Sequence, residues 1–287
     1  MDHRAYYRIG LIQLDAQSYA AATTSLRKAV ELAPTMPNYN FRLAQSYYYQ
    51  GNLAQAESYF AEATRLDSSS AAHNYNLALT RLELGKPNEA LAPAQRAIAL
   101  DAENAEYHYT LGQIQEELGD VDAALASYVS AVRYNNQYYK GLNELGRLLD
   151  ELGMYDEALD YLLAALRIEP SGLEVNNNLG NVYLHKELYE DAVDHFQVAI
   201  AQKPNDTLIR YHLSVAYLQT EDYSQAETSL RELIKMDPNY WQAYHRLGEV
   251  LIAEERKSEA RTVFTNLLRL NPNYRSRAAV ESLLADL

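Results

Sequence analysis

The seven histidines and the paired carboxylates are the side chains with which this 287-residue chain could do chemistry. The histidines are His3, His73, His108, His185, His195, His212 and His245. No two of them sit at metal-ligand spacing on one helix, so no metal site is expected. Glu116-Glu117 and Asp150-Glu151 are of the kind that can share a proton or bind a cation, yet adjacent acids usually form a solvated face. Gly85-Lys86 lacks the upstream glycine of a phosphate-binding loop, and neither a nucleophile elbow nor a dinucleotide fingerprint occurs. The chain has no cysteine, which excludes a disulfide framework, a thiolate zinc site and a cysteine nucleophile. Asn205-Asp206-Thr207 fits a glycosylation sequon, but in an inter-repeat loop it reads as coincidence. The expectation is a non-catalytic chain with no cofactor.

Charge and hydropathy narrow the partners. Lys plus Arg number 25 against 39 Asp plus Glu, a formal charge of -14, which argues against an unaided phosphate-binding surface. A nucleic acid partner is therefore not expected. No apolar run approaches the ~20 residues that cross a bilayer, and no signal-peptide core follows Met1-Asp2-His3-Arg4, so membrane insertion is not expected. The compartment stays open: the cytoplasm is favoured, and the periplasm would require that a leader had been removed.

Self-similarity organises the rest. Pro170, Pro204, Pro238 and Pro272 are spaced by 34 residues, and Pro34 lies four such periods before Pro170. Eight units cover 3–274: 3–36, 37–70, 71–104, 105–138, 139–172, 173–206, 207–240 and 241–274. The seventh position of each unit is Leu or Ile. The eighth is small: Gly10, Ala44, Ala78, Gly112, Gly146, Gly180, Ser214 and Gly248. Position 20 is Ala in every unit, from Ala22 to Ala260, which lets two helix backbones approach closely. Position 24 is bulky (Leu26, Phe60, Tyr128, Leu162, Phe196, Leu230, Phe264) except at Ala94. This period and code resemble those of the tetratricopeptide repeat family. The resemblance implies an all-α, right-handed superhelical solenoid of antiparallel helix pairs, which binds other proteins and whose first helices line a concave groove.

The pattern also predicts local detail. Positions 4, 7, 8 and 11 share one helical face, Asn176, Leu179, Gly180 and Tyr183 in the sixth unit. A turn falls at position 15, where Gly51, Gly85, Gly119 and Gly153 suit a left-handed residue. Gln17, Glu187, Glu221 and Glu255 hold that place in the other units, where another geometry or some strain is expected. Pro93, inside the second helix of the third unit, predicts a kink or a late start, unless local repacking absorbs it. Residues 275–287 read as a capping helix, with Ala278, Ala279, Leu283 and Leu284 inward and Arg277, Glu281 and Asp286 in water. No cap precedes residue 3, and excision from a longer chain is slightly favoured.

Positions 2, 5, 6, 9, 12 and 13 lie away from the packing stripe and are assigned to the groove. Position 5 reads Tyr7, Phe41, Tyr75, Tyr109, Asn143, Asn177, Tyr211 and His245. The first four aromatics, with Tyr48 and Tyr49 beside them, are expected to form an exposed ladder spanning ~30 Å, enough for ~9 residues of extended peptide. Tyr47, Tyr183 and Tyr217 at position 11, and Tyr19, Tyr155, Tyr189 and Tyr223 at position 17, are assigned to the core. Arg8 and Arg42, with Arg4, make the first two units basic. Glu106, Glu116, Glu117, Glu144, Asp150 and Glu151 make the fourth and fifth acidic, relieved by Lys140 and Arg147. Asn177, Asn178 and Asn181 form an amide cluster able to donate to and accept from a peptide backbone. It is similar to the asparagine ladders of repeat domains attached to O-linked sugar transferases, though it is shorter. Asn181 and Arg246 fit two places of the family's carboxylate clamp, but the clamp's lysines are missing, so that mode is rejected.

The expected function is a scaffold that binds a peptide segment of an unidentified protein partner in the groove. Two alternatives stand beside it. One is self-association through the uncapped first pair, with Tyr6, Ile9 and Leu26 near its outer face. The other is service as the targeting arm of a larger enzyme such as a glycosyltransferase.

Overall fold

The computed structural model describes residues 2–287, and among them there are seventeen α-helices and no strand. In chain order these are α1 (His3–Asp15), α2 (Tyr19–Leu32), α3 (Pro37–Tyr48), α4 (Leu53–Leu66), α5 (Ala71–Glu83) and α6 (Pro87–Leu100). Then follow α7 (Ala105–Glu117), α8 (Val121–Tyr134), α9 (Tyr139–Glu151), α10 (Tyr155–Ile168), α11 (Leu173–His185) and α12 (Tyr189–Gln202). The last are α13 (Thr207–Gln219), α14 (Tyr223–Met236), α15 (Trp241–Ala253), α16 (Lys257–Leu270) and α17 (Arg277–Ala285). Each 34-residue unit thus holds one helix pair, and every second helix starts at position 17 and ends at position 30. The fold is an all-α repeat solenoid. Two compact units divide it, one up to Gly141 and one from Leu142.

Small residues set the closeness of each pair. All eight alanines at position 20 are fully buried. A Cβ added to Gly180 would lie 2.6 Å from the Phe196 ring, and one on Gly112 would lie 2.6 Å from the Tyr128 ring. Position 8 is therefore the floor on which the bulky residue at position 24 rests. In the third repeat both places are alanine, Ala78 and Ala94, and both are buried.

The turns settle the question left by Gln17 and the three glutamates. Gly51, Gly85, Gly119 and Gly153 have φ between 69° and 77°, and Gln17, Glu187, Glu221 and Glu255 have φ between 54° and 62°. All eight turns use the same left-handed residue, and four of them carry the cost of a Cβ there. Helix starts are satisfied more variably. Asp206 caps α13 by accepting from the backbone N–H groups of Leu208 and Ile209, so the sequon's middle residue serves the helix. Asn40, Asn74 and Asn176, all at position 4, donate to carbonyls of the preceding inter-repeat loop, Asn176 to Pro170 at 3.1 Å and Gly172 at 2.8 Å. These amides tie the second, third and sixth pairs to the loops that precede them.

Three expectations are corrected. Helix α6 runs through Pro93 without a break and starts at Pro87, in step with the other second helices, so there is no late start. In α17, Val280 is the buried residue, Leu283 and Leu284 pack on the core, and Ala278 and Ala279 face water. Leu26 is fully buried over Gly10 and has no part in an outer face; Ile9 and Ile12 of α1 are exposed.

Candidate functional site

Position 5 does not point into open space. Tyr7 stacks on Tyr39 with ring centroids 4.3 Å apart, Phe41 lies 4.8 Å from His73, and Tyr75 stacks on Tyr107 at 4.8 Å. Tyr109 meets Tyr138 edge-on at 5.4 Å, Tyr211 meets Tyr240 at 5.4 Å, and His245 meets Tyr274 at 5.8 Å. The partner belongs to the opening turn of the next first helix or is the residue just ahead of it, except Tyr274, which lies three residues ahead of α17. The helical wheel gives the reason. At ~100° per residue, position 5 lies roughly 110° from the centre of the packing stripe, on the flank that faces the next repeat. Positions 6, 9 and 13 lie roughly 150–170° away and are the ones that look outward.

Phe41 is consequently a core residue, 8% exposed against Phe60 and His73, and the exposed four-rung ladder is corrected to a series of inter-repeat aromatic junctions. Tyr7, Tyr75 and Tyr109 are half-buried in those junctions. Burial pushes the Tyr75 phenol well above its ordinary range. Tyr48 is half-buried and donates to Glu83, and burial together with that carboxylate pushes its phenol up as well. Arg8 is exposed, and Arg42 lies over the Phe41 ring and donates to Gln45 at 2.8 Å.

Outward positions of the second unit, together with flanking positions 5 and 12 and Tyr189, line an open cavity of about 640 Å³. Helix α9 contributes Arg147, Asp150 and Glu151, and α13 contributes His212, Val215 and Gln219. Between them α11 contributes Asn177, Asn178, Asn181, Leu184 and His185, and Tyr189 comes from the start of α12. Four residues expected from the sequence, Arg147, Asn177, Asn178 and Asn181, are thus brought to one place. Asn143 stands beneath them, buried, accepting from Asn178 at 3.0 Å. Tyr211 and His245 lie outside the lining. Tyr189, assigned to the core, is half-buried and forms part of the wall. His185, His212, Val215 and Gln219 were not among the expected site residues, although all four occupy positions 6, 9 or 13, because a lone histidine, valine or glutamine there carries no signal of its own.

The cavity's electrostatics follow from its pairings. Arg147 donates to Glu144 at 2.7 Å and to Glu151 at 2.6 Å, so its charge is compensated within the wall. The Asp150 side chain is 10% exposed and accepts from His185 Nδ1 at 2.7 Å, and burial holds its carboxyl above the ordinary range. The His185 ring stacks on Tyr155, with centroids 5.3 Å apart. Burial pushes His212 below its ordinary range, which keeps that ring neutral near pH 7. On the cavity lining, two buried side-chain polar atoms have no hydrogen-bond partner among the described residues: Asn177 Oδ1 and His212 Nδ1. A buried amide oxygen without a donor is costly, and a ligand N–H satisfies it.

No cluster of three metal-ligating side chains occurs among the described residues, and no helix there is long and apolar enough to cross a membrane. Tetratricopeptide repeat models match residues 3–36, 41–105, 75–139, 143–207, 183–235 and 217–287, one model alone accounting for more than half of the chain. The chain belongs to the tetratricopeptide repeat family. Among curated proteins none matches it. Solved tetratricopeptide repeat structures do. One from Parabacteroides merdae is 18% identical over 87% of this chain and 97% of that one, with a TM-score of 0.61. The C-terminal part of a tetratricopeptide repeat protein from Cytophaga hutchinsonii is 19% identical over 84% and 98%, with a TM-score of 0.64. YrrB, described as a TPR protein with an unusual peptide-binding site, is 26% identical over 64% and 95%, with a TM-score of 0.53.

Proposed function

We propose that this tetratricopeptide repeat protein is a non-catalytic scaffold whose second unit holds an extended segment of a partner protein in the cavity of α9, α11 and α13. The observation that carries this reading is the buried, unpartnered Asn177 Oδ1 at a preformed cavity of mixed polar and apolar lining, beside two further asparagines on the same helix. Amides placed this way hold a main chain by donating and accepting at once, and a preformed wall spares the entropy of ordering itself around the ligand. The likeness to YrrB, itself described as having a peptide-binding site, supports the same reading.

The test is selection of phage-displayed random decapeptides on the immobilised chain, followed by affinity measurement on the Asn177→Ala/Asn181→Ala variant. Peptides bound by the wild type and weakened roughly tenfold or more by the double substitution are expected, since two hydrogen-bonding groups are removed. Peptides that bind both proteins equally would place the binding surface elsewhere.

A further inference from the structure

Resting on that peptide-binding reading, we propose that the cavity selects a cationic side chain, an arginine or lysine of the bound segment, against Asp150. The inference begins with the balance of donors and acceptors. Asn177 Oδ1 is a buried acceptor without a donor, and Asp150 accepts only from His185 at Oδ1, its second oxygen having no partner among the described residues. The cavity therefore asks for N–H groups. A guanidinium supplies five and an ammonium three, more than the main chain can offer at one point.

Charge leads to the same ligand. Arg147 is engaged by Glu144 and Glu151, so the wall's one arginine is already paired, whereas Asp150 is met by the single contact from His185 Nδ1 at 2.7 Å. The second cavity histidine, His212, is held neutral by burial and provides no competing cation. An acidic segment would bring like charge against Asp150 and Glu151, and an apolar one would leave Asn177 Oδ1 unpaired. At 10% exposure Asp150 is poorly screened, so a countercharge there is felt more strongly than at a surface acid. The volume of about 640 Å³ accommodates a long side chain together with flanking backbone.

The experiment uses the full chain and the random decapeptide library. Selected peptides are expected to carry Arg or Lys at one fixed position. Replacing that arginine by neutral citrulline, or that lysine by norleucine, should weaken binding roughly tenfold or more, because a charge-assisted bond is lost. Asp150→Asn should weaken the parent peptide by a similar factor and leave the neutral peptide unchanged. The citrulline exchange lies in the peptide, so it remains decisive even if the protein variant folds poorly. Peptides that depend on Asn177 and Asn181 but show no cationic preference would overturn this inference and leave the peptide-binding reading standing. A library that yields no binder would overturn both.

Discussion

The two units use one backbone plan and spend their outward positions differently. In the first unit the neighbourhood of the first helices is aromatic, and its rings meet one another: Tyr7 with Tyr39, Phe41 with His73, Tyr75 with Tyr107, Tyr109 with Tyr138. A cavity there, between α1 and α3, measures about 250 Å³ and is lined partly by Arg42, Gln45 and Tyr49. In the second unit the outward residues are amides, acids and histidines, and the cavity is about 640 Å³. Aromatic residues that can reach each other close a junction. Short polar side chains at the same register leave a space and line it. Tyrosine content, highest in the first unit, thus marks junctions between repeats, and the unsatisfied polar atoms of the lining lie in the second unit.

Four measurements break or sharpen this contrast, the largest effect first. Phe41→Ala should destabilise the first unit by about 3–5 kcal/mol, as for any buried Phe truncation, followed by urea denaturation with segment-resolved hydrogen exchange. A change below about 1 kcal/mol would restore Phe41 to the surface role it was expected to have. Next, Asn178→Ala should cost about 1–3 kcal/mol in the second unit, because it leaves the buried Asn143 Oδ1 without its donor. If stability is unchanged, that pair is not a structural element of the cavity floor.

The pH response distinguishes the units as well. Burial holds His73, His195, His212 and His245 below the ordinary value of 6.5, and three of these four lie in the second unit. Between 6.5 and the lower folded values the unfolded chain binds protons that the folded chain does not. Stability is therefore full above 6.5 and falls as pH drops through that window. Asp150, raised by burial from 3.8, acts with the opposite sign in a window that opens above 3.8. Exchange protection of the second unit should drop more than that of the first between about pH 7.5 and pH 5.5. Equal loss in both units would contradict the assignment of these rings as buried and neutral.

The smallest effect concerns the turns. Glu221→Gly should stabilise by about 1 kcal/mol, since glycine adopts the observed φ of 60° without a Cβ penalty, whereas Gly153→Ala should destabilise by a similar amount. Thermal melts of both variants test this. Absence of stabilisation in Glu221→Gly would mean that Glu221 gains from a contact that offsets its backbone cost.

Much of the fold was legible residue by residue. The 34-residue period placed every helix pair, the alanine at position 20 marked the closest backbone approach, and small residues at position 8 foretold the bulky rings above them. The site was legible in part. Asn177, Asn178, Asn181 and Arg147 could be named because three amides and a charge cluster away from the apolar packing stripe of their helices. His185, His212 and Val215 were missed because a single histidine or valine carries no signal until its neighbours are in place. The aromatic ladder misled for a related reason: a helical wheel describes one helix, and position 5 is decided by the next one.

What the sequence determined by itself, then, is everything local and periodic: helix, turn, pair and stack follow from side-chain size at fixed spacing, because each repeat contacts only its neighbours. Tertiary structure decided which flank of each first helix is covered and which is open. Burial depends on a neighbour some 30 residues away, as with Tyr7 and Tyr39 or Asp150 and His185, and no single-helix pattern contains that distance. It also decided that Gln17 and three glutamates adopt the glycine conformation, since the close packing of the two helices that each turn joins holds it there whatever residue fills it.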